Sequence, residues 1–123
     1  MTIKTLNLIV VLFLISFADP SQATRFSGQY LMSVCASDVD GNEITPGGHI
    51  ACQAYIAGIL DYHTLLKSLG TAPGIDFCVP EDAGMALIQK RVQSYVLKNR
   101  KQHSSFIAAP GVTLGLHNAF PCE

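Results

Sequence analysis

Apolar residues recur along this chain at three- and four-residue steps, and that spacing defines its elements. Cys52, Tyr55, Ile56, Ile59, His63 and Leu66 fall on one face, and Gln53, Ala57, Asp61, Thr64 and Ser68 on the opposite one. This spacing predicts a central amphipathic helix from about Ile50 to Leu69, stopped by Gly70. Ala54 and Gly58, four apart, would leave one side of it open to close approach by another helix. A second stripe, Met85, Ile88, Val92, Tyr95 and Val96, is backed by Lys90, Arg91 and Gln93. Pro80 suits the first turn of that helix, with Glu81 and Asp82 at its positive end and Lys98, Arg100 and Lys101 at its negative end. Ser27 can cap a short helix running to about Cys35, with Phe26, Tyr30, Leu31 and Val34 on its apolar side. Val112, Leu116 and Phe120 step by four and predict a last helix from about Gly111 to Ala119. Pro110 either starts it or kinks a helix begun at Ser105.

The segments between break the pattern. Asp38, Asp40, Gly41, Asn42, Pro46, Gly47 and Gly48 are turn formers. Asp38 to Glu43 faintly resembles a calcium loop but lacks that motif's ligand spacing and glycine placement, so it reads as a solvated loop. Gly70 to Phe77, with Pro73 and Gly74, forms a second loop, and His103-Ser104-Ser105 a break. There is no internal repeat, no low-complexity tract and no strand-like alternation of useful length. The expected fold is all-α, a small disulfide-stapled bundle of about four helices with antiparallel neighbours.

Residues 1–23 read as a secretory signal peptide: Lys4, then the apolar run Leu6 to Phe17, then Ser21-Gln22-Ala23 with cleavage after Ala23. Ala18 is an alternative cleavage point. The apolar run is too short to cross a bilayer comfortably, and no cysteine follows it at a lipid-attachment position. Residues 24–123 form the domain, with no further membrane span. An even count of four cysteines in an exported domain favours disulfides. Three pairings are possible, and the cysteine positions alone do not select one. No C-x-x-C occurs and the histidines are scattered, so neither a metal site nor a cofactor is expected. A net charge of −1 gives no attraction to nucleic acid.

No catalytic residues are expected. Ser104 and Ser105 adjoin His103, but neighbours in sequence do not make a triad, and no G-x-S-x-G elbow is present. His63 lies on the apolar stripe and reads as a hydrogen-bonded core histidine. Asp61, two residues away, points elsewhere, and His117 fits either packing or surface. For binding a partner, the polar and basic connection Asn99, Arg100, Lys101, Gln102 and His103 is the first candidate. The loops Gly70–Asp76 and Asp38–His49 are the alternatives.

Taken together, Cys35, then Cys52/Tyr55/Ile56/Gly58, then Phe77-Cys78-Val79-Pro80 with Tyr95, then Phe120-Pro121-Cys122 resemble the Rap/Tai family. These are immunity proteins to peptidoglycan amidase effectors of the type VI secretion system. The Cys35 to Cys52 loop is longer and richer in glycine than the family pattern, and Pro110-Gly111 interrupts a stretch that is usually plain helix. The resemblance implies a periplasmic, non-enzymatic helical protein with two disulfides, often dimeric, that binds a cognate cell-wall amidase and occludes its active site. In that architecture the order of the helices favours Cys35–Cys52 and Cys78–Cys122, each stabilising by roughly 3–4 kcal/mol in the chain-entropy model. The alternative is a periplasmic protein of the same fold that binds a small ligand or stabilises an envelope complex.

Overall fold

The computed structural model describes residues 25–123 except Ala72. The expected leader and cleavage point lie outside the described residues. Among the described residues five helices follow in order: α1 (Gly28–Val34), α2 (Gly48–Ser68), α3 (Met85–Lys98), α4 (Arg100–His103) and α5 (Ala108–Ala119). The chain is an all-α bundle, and the expected count of about four helices is exceeded by α4, a single turn set off from α3 at Asn99.

Local chemistry accounts for most of the boundaries. Ser27 caps α1, its Oγ accepting from the Tyr30 N–H at 3.1 Å. The central helix begins two residues earlier than expected, at Gly48, because Glu43 reaches its first turn. The two carboxylate oxygens accept from the N–H groups of Gly47 and His49 at 2.9 and 3.1 Å, where the helix has free donors and a positive end. At the other end Gly70 adopts φ +71°. There the Thr71 and Gly70 N–H groups donate to the carbonyls of Leu66 and Lys67, a closure that favours a residue without a Cβ.

Two expected starts are displaced by tertiary contacts. Pro80 does not open α3, and Glu81 and Asp82 do not sit in its first turn, because the helix begins at Met85 after Gly84. The Cys78 N–H donates to the Phe120 carbonyl at 2.8 Å, and the Cys78 side chain is bonded to Cys122. The chain is thus held non-helical through Pro80, then turns as the Ala83 N–H returns to the Pro80 carbonyl at 3.0 Å. The last helix starts at Ala108, ahead of Pro110, which occupies its third position, where an N–H would have no intrahelical partner. That start is set by a short bridge to α1: the Gly28 N–H donates to Phe106 O, and the Ala108 N–H to Phe26 O, both at 2.8 Å. Gly28 is required there, since a Cβ would come within 2.0 Å of the His103 carbonyl oxygen.

The core joins all four longer helices. Leu31 and Val34 of α1, Cys52 and Ile56 of α2, Ile88, Val92 and Val96 of α3, and Val112 and Leu116 of α5 are all buried, with Cys35 and Phe77 from the connections. Each large aliphatic side chain in that set stabilises the fold by about 1.5–3 kcal/mol of burial. The buried Gln89 is satisfied within it, donating to the Cys35 carbonyl at 3.3 Å and accepting from Gln53 Nε2 at 2.8 Å. The Ala54–Gly58 side of α2 is open surface, and no helix among the described residues packs there.

Candidate functional site

The first binding candidate divides on inspection. Asn99 closes α3, its Nδ2 donating to the Tyr95 carbonyl at 2.9 Å. Arg100, Lys101 and Gln102 are exposed on α4. His103 is not: it is 7% exposed and sits against the glycines at 28 and 111 and beside the Tyr95 ring. It therefore belongs to the core and is withdrawn from any contact surface. The small residues at 28 and 111 make the space for it, a relationship across three segments that the run of polar residues around it conceals.

The second candidate, the loop after Gly70, is organised by Asp76. The His63 Nε2–H donates to Asp76 Oδ1 at 2.7 Å, and the Phe77 N–H donates to the same oxygen at 2.9 Å. Lys67 Nζ lies 3.4 Å away. These contacts, the His63 hydrogen bond foremost, hold the Asp76 carboxyl below its ordinary value. The Asp76 main-chain carbonyl accepts from His117 Nδ1, so α5 holds the same residue from the other side. His63 is buried, stacked on Phe77 with centroids 3.8 Å apart, as expected of a core histidine. Its carboxylate partner is Asp76, while Asp61 is exposed. Next to the pair, the Thr64 hydroxyl is donated to Leu60 O, and Cys78 is in a disulfide. The His63–Asp76 pair is a clamp. Beside it, Ile59, Tyr62, Leu66 and Ile75 line an apolar recess of about 410 Å³.

The third candidate, Asp38–His49, is the one built to project. Cys35 and Cys52, both fully buried, are bonded at its base with Cα atoms 5.2 Å apart. Above them Ser37 and Glu43 form an antiparallel bridge, and Ser37 Oγ lies 3.0 Å from His49 Nε2. Asp38 folds the tip. Its Oδ1 accepts from the N–H groups of Asp40 and Asn42 at 2.9 and 2.8 Å, and Oδ2 accepts from Asn42 Nδ2. The Asn42 N–H is the main cause that lowers the Asp38 carboxyl, and the Gly47 N–H does the same for Glu43. Both carboxylates are thus committed to the loop's own backbone, and no cluster of metal-ligating side chains occurs among the described residues. Val39 stands at the apex with a relative exposure of 102%. An apolar side chain held entirely in water on a cross-braced turn contributes nothing to the fold.

The turn formers marked this segment as a loop, but not as a rigid one. The available signals were Asp38 two and four residues before backbone donors, and Glu43 four before Gly47, the spacings at which short acidic side chains reach N–H groups.

The family model described as Rap1a immunity proteins matches residues 27–122. Comparison with curated proteins and with solved structures gives no match. The matched span takes in every described helix and both disulfides. The chain belongs to the Rap1a family of immunity proteins.

Proposed function

We propose that this immunity protein acts in the periplasm against a type VI secretion peptidoglycan amidase, with the Val39 loop entering and blocking the enzyme's substrate cleft. The observation that carries this reading is the loop's construction. An inhibitor that must plug a cleft gains affinity by being ordered before it binds, since little conformational freedom remains to be lost. The Cys35–Cys52 bond, the Asp38 and Glu43 braces and the fully exposed Val39 supply a pre-ordered projection with an apolar tip. The disulfides favour an oxidising compartment, where cell-wall amidases act. Arg100, Lys101 and Gln102 belong to the reading as secondary contacts. The protein has no turnover of its own in this reading; it works by occupancy.

The test is a peptidoglycan digestion assay with a cysteine–histidine amidase effector of a type VI secretion system. Release of soluble muropeptides should stop as the oxidised protein reaches an equimolar ratio. An amidase that stays fully active in saturating excess of the protein sinks the proposal.

A further inference from the structure

Charge is divided along this chain. From Phe26 to Asp82 there are seven carboxylates, Asp38, Asp40, Glu43, Asp61, Asp76, Glu81 and Asp82, against the single cation Lys67. From Ala83 onward there are five cations, Lys90, Arg91, Lys98, Arg100 and Lys101, and one carboxylate, Glu123, which has no ion pair among the described residues. Among the described residues none of these five has a carboxylate within ion-pairing distance; both ion pairs involve Asp76. Lys90, Arg91 and Lys98 border a recess of about 540 Å³ between α3 and the end of α5, walled also by Leu87, Tyr95 and Phe120.

A row of lysines on a helix is ordinarily a solvated face, its charge balanced by acidic neighbours at three- or four-residue steps. This face lacks that balance. Its cations edge a concavity in which side chains displace water, so their potential is less screened and adds up within it. The half-buried Tyr95 and Phe120 rings give that concavity an apolar wall as well. A flat anionic surface, a membrane or a nucleic-acid backbone, would touch the rim cations and leave the rings unused. A peptide strand can use both. Lys90 also borders the hollow beneath Asp38 and Val39, so a protein seated on that loop has the recess within reach.

We infer that the α3–α5 recess is a docking site for an acidic segment of a partner protein, one carrying carboxylates on either side of an apolar side chain. The site does not depend on the partner being an amidase.

The experiment is a titration of the isotope-labelled, oxidised protein with the blocked peptide acetyl-Glu-Glu-Phe-Glu-Glu-amide, read from backbone amide chemical shifts. Saturable shifts are expected within Leu87–Lys98 and Asn118–Phe120, weakening as salt is added. The double variant Lys90→Glu/Lys98→Glu should weaken binding by about tenfold or more, since two attractions become repulsions. Arg100→Glu/Lys101→Glu, which changes the same charge outside the recess, should leave it nearly unchanged. A neutral pair, Lys90→Gln/Lys98→Gln, carries the same comparison should the reversed charges perturb the helix. Absence of saturable shifts overturns the proposal, as does an equal loss in the Arg100/Lys101 variant, which would mark a diffuse charge effect. Tighter binding to phosphatidylglycerol vesicles than to the peptide, with the same residues shifting, would assign the face to a membrane and overturn it too.

Discussion

His63 and Asp76 are thirteen residues apart in the chain and 2.7 Å apart in space, joined Nε2 to Oδ1 while the imidazole lies flat on Phe77. The contact fixes the loop after Gly70 onto α2, and His117 fixes the same aspartate to α5 through its carbonyl. Asp76 is ionised more readily in the native protein than in the unfolded chain. Its stabilisation is therefore complete above the ordinary value of 3.8 and disappears as pH falls through the lower native value. Asp38 and Glu43 are depressed as well and titrate on the same acid limb. We expect the melting temperature to be level with respect to these groups at neutral pH and to fall below about pH 4. Asp76→Asn should lower it at pH 7 and make the acid limb shallower. A variant whose melting curve runs parallel to the parent at every pH would remove Asp76 from that account.

The two disulfides differ in access. Cys35 and Cys52 are fully buried, whereas Cys78 is exposed and Cys122 partly so. Under a mild reductant Cys78–Cys122 should open first, detected by thiol alkylation and peptide mass over time. Loop closure over 17 and 44 residues corresponds to about 3 and about 4 kcal/mol respectively, so loss of the outer bond should cost at least as much as loss of the inner. Simultaneous appearance of all four thiols would mean that reduction requires global unfolding.

Val39 separates stability from binding. Being wholly exposed, it can be changed to Asp with an effect on unfolding free energy within about 0.5 kcal/mol. If the tip enters a partner's cleft, the same change should weaken the complex by about 2 kcal/mol or more, roughly thirtyfold, measured by calorimetry against the inhibited amidase. Unchanged affinity would place the contact elsewhere on the protein while leaving inhibition itself intact.

Gly28 and Gly58 should respond to alanine in opposite directions. At Gly28 the added methyl meets the His103 backbone, which cannot swing aside, and a loss of about 2–4 kcal/mol is expected. At Gly58 the methyl points into open space in the middle of α2, where alanine should gain about 0.5–1 kcal/mol. Denaturant midpoints of the two variants decide both. A destabilised Gly58→Ala in concentrated solution alone would reveal a partner packed on that side of the helix.

What the sequence made legible was whatever is written locally. The Cys52-to-Leu66 stripe, the Ser27 cap, the Gly70 stop and the core placement of His63 each depend on residues within a few turns of one another. The elements misplaced are those governed at long range. Pro80, Glu81 and Asp82 have the composition of a helix start, but Phe120 and Cys122, some forty residues on, hold Cys78 and delay α3 to Met85. His103 sits in a polar stretch, and only Gly28 and Gly111 show that it is covered. The Asp38–His49 loop was recognisable as a loop. Its apex was not, because whether Val39 turns inward or outward depends on which N–H groups Asp38 captures.

The cysteines join first to second and third to fourth, so the two rings do not overlap. A chain that enters an oxidising compartment N-terminus first can therefore be oxidised in order of arrival. Cys52 meets Cys35 before Cys78 has emerged, and Cys78 is left with Cys122 as its one remaining partner. Pairing by arrival in such a compartment would give the native bonds without reshuffling.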